Sequence, residues 1–140
     1  MRYVEQTWPS ERWPNFSFNE AKCSATGKCI VDDGFMDQLQ ELHRRYGKPM
    51  TVSSLYRDVE HPIEAAKGDK PGAHVTGKAV DIVVSHADAF YVLKYAMTMG
   101  VFKGVGIKQG GNGRFIHLDV LANEEVIWIP RPRLWSYKIK

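Results

Sequence analysis

The stretch Gly77-Lys78-Ala79-Val80-Asp81-Ile82-Val83-Val84 decides how the chain folds. After Gly77 turns the backbone, a short and mostly β-branched run predicts a strand. Successive side chains on a strand point to opposite faces, so Asp81 shares one face with Ala79 and Val83, and Val80, Ile82 and Val84 take the other. A carboxylate in so apolar a strand requires a partner, because burying an unpaired charge is costly. Phe115-Ile116-His117-Leu118-Asp119-Val120 has the same form. There Phe115, His117 and Asp119 share a face, with His117 and Asp119 about 7 Å apart along it.

If these strands are neighbours in one sheet, Asp81 and His117 meet, and His74, on the loop feeding the first strand, folds over them. Two imidazoles and a carboxylate, with a fourth position left to water, have the form of a catalytic zinc site; structural zinc sites close with four protein ligands. The competing reading of these residues is a hydrogen-bonded core pair.

The surrounding chain reads as one small α+β domain, with a mainly antiparallel sheet carrying the site and packed against two or three helices. Its 140 residues suffice for a single core, and 44% hydrophobic with 25% charged residues is ordinary globular composition. No apolar run approaches the roughly 20 residues of a membrane span, and the segment from Met1 to Gln6 lacks a signal-peptide core. The expectation is synthesis in the cytoplasm without a signal and no membrane partner. A formal charge of +3 with scattered Lys and Arg does not suggest nucleic acid. Cys23 and Cys29 are too few for a disulfide framework, and either a local bridge or two reduced thiols fits.

Residues 1–20, with Trp8-Pro9 and Trp13-Pro14, predict an extended packing arm anchored by Trp8 or Trp13, and 21–140 the domain proper. From an Asp32 or Asp33 N-cap, Phe35, Met36, Leu39, Leu42 and Tyr46 recur at helical spacing until Gly47. Met50 to Ser54 reads as a strand with Arg57 just beyond its end, where a long cation is easily exposed. A short helix follows near Pro62 to Ala66, then the loop to His74. Ser85 and Asp88 suggest a capping box for a helix with apolar Ala89, Phe90, Val92, Leu93, Ala96 and Met97, ending at Gly100. Gly104 to Ile107 forms a strand, Lys108 to Gly113 a hairpin turn, Val126 to Ile129 an edge strand, and Pro130 to Tyr137 closes over the domain.

The segments from Thr51 to Arg57, from His74 to Ile82 and from Phe115 to Asp119 resemble, in order and spacing, the zinc D-Ala-D-Ala carboxypeptidase family of peptidoglycan metallopeptidases. They look most like its phage-type branch. Asn15-Phe16-Ser17, Asp37 to Pro49 and Arg133-Leu134-Trp135-Ser136-Tyr137 extend the resemblance over most of the chain. It implies Zn2+ on His74, Asp81 and His117, and Arg57 holding a developing oxyanion or a substrate carboxylate. The implied activity is hydrolysis of peptide bonds in peptidoglycan stem peptides or cross-links, as a carboxypeptidase or endopeptidase. The phage-type likeness implies a lysin or a virion component, associated with tail proteins and acting on the bacterial cell wall. The alternative is a non-catalytic wall-binding or virion domain of the same fold. Two departures stand out: Gly72-Ala73 precede His74 where relatives often carry Ser, and Arg114 occupies the place three before the last His that is acidic in several relatives. Asp119, the nearest acid on the face of His117, is therefore the candidate general base, its other reading being to orient His117 or Arg57.

Overall fold

The computed structural model describes residues 1–122 and 130–138. In chain order it contains β1 (Arg2–Tyr3), α1 (Phe18–Ala21), β2 (Cys29–Ile30), α2 (Asp33–Tyr46), β3 (Thr51–Ser54), α3 (Pro62–Ala65), β4 (Ala79–Val83), α4 (His86–Met99), β5 (Gly104–Lys108), β6 (Phe115–Asp119) and β7 (Arg133–Ser136). A two-stranded sheet pairs β1 with β2, and a five-stranded sheet runs β3-β4-β6-β5-β7. All pairs in the larger sheet are antiparallel except β5 with β7. The domain is α+β, as the periodicities predict, with two long helices and two of a single turn.

The alternation in β4 and β6 sets the layers. Val80 and Ile82 of β4 and Ile116 and Leu118 of β6 are buried in one cluster with Phe35, Met36, Leu39 and Leu42 of α2 and with Ala89, Val92 and Ala96 of α4. The helices therefore cover one face of the sheet, and Asp81, His117 and Asp119 emerge on the other. Asp32 caps α2 by accepting from the Phe35 N–H at 2.8 Å, and Gly47 ends it with a φ of 75° that favours glycine. Trp8 and Trp13 are both buried, and Trp13 has no exposed surface. The Trp8 indole donates to the Phe16 carbonyl and that of Trp13 to Asp37, so both rings bury area while their polar atoms stay satisfied.

Several local expectations change. Ser85 is the N-cap residue of α4 but makes no side-chain cap bond; His86 enters the helix with a φ of 53°, and Asp88 instead pairs with Lys48 at 3.1 Å. Phe90 and Met97 on α4 are exposed, because the helix turns only its Ala89, Val92 and Ala96 side fully into the core. Within the closing segment Pro130 to Tyr137, Arg133–Ser136 forms a strand, β7, at the edge of the sheet. The edge strand expected at Val126 to Ile129 lies outside the described residues. Cys23 and Cys29 are buried and unbridged. No helix among the described residues is long and apolar enough to cross a membrane.

Candidate metal centre

Pairing of β4 with β6 sets Asp81 directly opposite His117, and β3 brings Ser54 to the other side of Asp81. A turn of 3-10 helix over Ala73–Thr76, closed by Gly77 at a φ of 72°, delivers His74 onto the same face. The nearest ligand atoms of His74, Asp81 and His117 all lie within 4.8 Å of one another, and all three residues are buried. His74 Nε2 is 3.2 Å and His117 Nδ1 2.9 Å from Asp81 Oδ1.

The outer nitrogen of each imidazole fixes its tautomer. His74 Nδ1 is 2.8 Å from the Leu55 carbonyl, which only accepts, so Nδ1 carries the proton and donates it. His117 Nε2–H likewise donates to Asp119 Oδ2 at 2.8 Å. In the neutral imidazoles, the inner lone pairs of His74 Nε2 and His117 Nδ1 then face the lone pairs of Asp81 Oδ1. That convergence of three lone pairs is repulsive unless a proton or a cation lies among them. The residues present therefore fit a divalent metal: two imidazole nitrogens and one carboxylate oxygen suit zinc, and the bonds behind them hold the rings in the ligating orientation.

Asp119 has no exposed surface. Arg131 binds it with both arms of its guanidinium, Nε to Oδ1 at 2.9 Å and Nη2 to Oδ2 at 2.6 Å, and the Leu121 N–H donates to Oδ1. Burial pushes its carboxyl up, but Arg131 and His117 together outweigh that and bring it to about 2. Burial also raises Asp81, and the adjacent His117 and His74 rings, which favour an ionised carboxylate whenever one of them takes up a second proton, more than reverse the effect, leaving it well below the usual carboxylate range. His117 is lowered by burial and raised further by Asp119 and Asp81, so the net direction is up.

Arg57 is not the exposed cation that its place after β3 suggests. Its side chain is 18% exposed, with Nη1 3.2 Å from Glu64 Oε2 and Nη2 3.7 Å from Asp81 Oδ2. Glu64 of α3 is fully buried, receives the Gly72 N–H at 2.7 Å and also pairs with Lys67. One buried carboxylate thus ties the arginine to the loop that carries His74.

A pocket of about 400 Å³ opens over the triad, lined among others by Arg57, His74, Asp81, His117, Trp135 and Tyr137. A second cleft of about 420 Å³, lined by Ser53, Ser54 and His61, shares Arg57 and Ile63 with it. The Trp135 ring stands 5.2 Å from that of His117. It fits there because its register partner on β5 is Gly106, where a Cβ would lie 2.6 Å from the indole. Gly104 leaves the same kind of room for the Asp119 carboxylate.

The sheet brings together His74, Asp81, His117, Asp119 and Arg57. Arg114 stays apart, bound to the Gly111 carbonyl and near His86, and His61 lines the second cleft rather than the metal pocket. Glu64 and Arg131 escape the sequence reading. The rule that a carboxylate in an apolar strand needs a partner applies to Asp119 as it does to Asp81 and demands a cation, but which cation depends on the return of β7.

Such a donor set, open on one side, is the form of a zinc centre that can take a substrate or water, as metallohydrolases require. Residues 14–119 match the family model of peptidase M15, and the chain belongs to that family of zinc peptidases. No curated protein and no solved structure matches it.

Proposed function

We propose that the protein is a zinc-dependent hydrolase of peptide bonds in peptidoglycan stem peptides or their cross-links. The observation that carries this reading is the convergence of three lone pairs from His74, Asp81 and His117 beneath an open pocket. Zinc held there by His74, Asp81 and His117 would supply an activated water and a Lewis acid for the scissile carbonyl. Leu55 and Asp119 hold the two imidazoles in their ligating tautomers. Arg57, kept over Asp81 by Glu64, offers a planar donor to charge developing on the carbonyl oxygen or to a substrate carboxylate. Of the two roles open to Asp119, its saturated and fully buried oxygens favour orienting His117 over accepting a proton. The likeness to phage-type relatives supports action on the bacterial wall during lysis or entry.

A second reading has its own support. Among the described residues Asp81 is the one carboxylate lining the metal pocket, which suits a metal-containing domain that grips the wall without cutting it.

Digestion of purified peptidoglycan, with mass spectrometry of the products, separates the two. The proposal expects one zinc per chain, zinc-dependent release of peptide fragments, and loss of both in His74→Ala. Sedimentation with cell walls and no product would establish the binding domain instead.

A further inference from the structure

The metal pocket is lined by four cationic side chains, Arg57, Lys67, Arg131 and Arg133, against the single carboxylate of Asp81. Three of these cations are committed within the protein: Arg57 and Lys67 to Glu64, and Arg131 to Asp119. Arg133 differs. It is exposed on β7, its guanidinium carbon lies 5.1 Å from the centroid of the Trp135 ring, and among the described residues no carboxylate pairs with it.

The sheet explains why it points to the site. Arg133 stands opposite Gly104 and Trp135 opposite Gly106. Across β5 those glycines face Asp119 and His117. Residues two apart on a strand share a face, so Arg133 and Trp135 lie on the metal side of the sheet. Arg57 reaches the ligands from the end of β3, at the opposite edge. The metal ligands are thus flanked by one cation from each edge of the sheet, and only the one on the β7 side keeps its whole fork for a ligand.

We propose that Arg133 is a specificity-determining residue that binds a free carboxylate of the substrate peptide on the β7 side of the metal ligands. The inference rests on reading the site as a peptidase and adds the substrate class: peptides in which a side-chain-linked glutamate keeps its free α-carboxylate, preferred over their carboxamide counterparts. A guanidinium resting on an aromatic face is already oriented, and its planar fork matches a carboxylate. A glutamate linked through its side chain leaves such a group, its α-carboxylate, beside the peptide backbone. The site stands at the rim, so the preference weakens as salt rises.

The test is calorimetric titration of the zinc-loaded full chain at low salt with two stem pentapeptides, Ala-γ-D-Glu-Lys-D-Ala-D-Ala and the same peptide with the glutamate α-carboxylate converted to the amide. Cleavage is followed in the same samples by mass spectrometry. The free carboxylate should bind about tenfold more tightly in wild type, as for one charge-assisted contact. The ratio should fall to about one in Arg133→Gln, which keeps a planar polar end over Trp135. Arg133→Lys, with the charge but not the fork, should lie between. Equal binding of the two peptides by wild type, or an undiminished ratio in Arg133→Gln, overturns the proposal. Carboxylate preference without any cleavage would sink the peptidase reading and leave the role of Arg133 standing.

Discussion

Asp119 is fully buried, with both oxygens bound by Arg131 and one also receiving His117 Nε2–H. Asp119→Asn should therefore weaken zinc binding by about 10–100-fold, the usual effect of losing a partner behind a ligand. It should also lower thermal stability, because it removes the charge beside a buried guanidinium. A zinc titration run beside a melting curve checks both. Wild-type zinc affinity and stability with activity abolished would restore Asp119 as the base. Arg57 carries a similar double load. Arg57→Ala should reduce kcat by about 10²–10³, as for loss of one oxyanion donor. It should also destabilise the fold, since it strips a buried carboxylate of one of its cations. The double variant Arg57→Ala, Glu64→Gln should recover part of the stability and none of the activity, a coupling that a double-mutant cycle measures. Burial raises the Glu64 carboxyl, but the Gly72 N–H, Lys67 and Arg57 outweigh it, so its pKa is lowered on folding. A group lowered in this way contributes stability above its unfolded pKa, about 4.3, and loses it as pH falls through the lower folded value. Glu64→Gln should accordingly flatten the acid side of the stability profile.

The elements that carry the ligands were the most legible ones. Alternation in Ala79 to Val84 and in Phe115 to Val120 fixed both strands and their faces, and the β4–β6 register put Asp81 against His117 as that alternation required. The short helix near Pro62 to Ala66 was legible too, as α3, but not which of its side chains is buried. On α3 the apolar Ile63 is exposed and Glu64 is buried, the reverse of what polarity suggests, because the carboxylate is held by the Gly72 N–H and two cations. Strand β7 was hidden because its partner, β5, is parallel and distant in sequence, and nearly all its side chains are exposed. The glycines of β5 read only as part of a short strand, yet their missing side chains shape the site. Gly106→Ala should push Trp135 away from His117, costing about 1–3 kcal/mol of stability as overpacking does. Tryptophan emission should change and kcat/KM fall while zinc content persists; an unchanged emission spectrum would show that the indole does not depend on that space.

At the scale of the molecule, one core runs from Tyr3 on the first strand to Leu118 on β6, and the metal triad lies on the far side of the sheet from it. A zinc ion would cross-link the 3-10 turn, β4 and β6, elements that the core already holds. Chelation should therefore lower the melting temperature without unfolding the protein at room temperature. Zinc at about 100 times its Kd contributes about 2.7 kcal/mol, or roughly 10 °C for a chain of this size. Calorimetry with and without a chelator checks this, and unfolding on chelation at 25 °C would make the metal a condition of the fold. The pocket has one more property that follows from the order of its parts. Its ligands are complete at His117, but one side of its wall comes later, from Arg133 and Trp135 on β7 and from Arg131 and Tyr137 on either flank of that strand. A chain emerging from the ribosome thus presents three metal ligands before the β7 side of the groove, and the capacity to bind metal precedes the full capacity to choose what is cut.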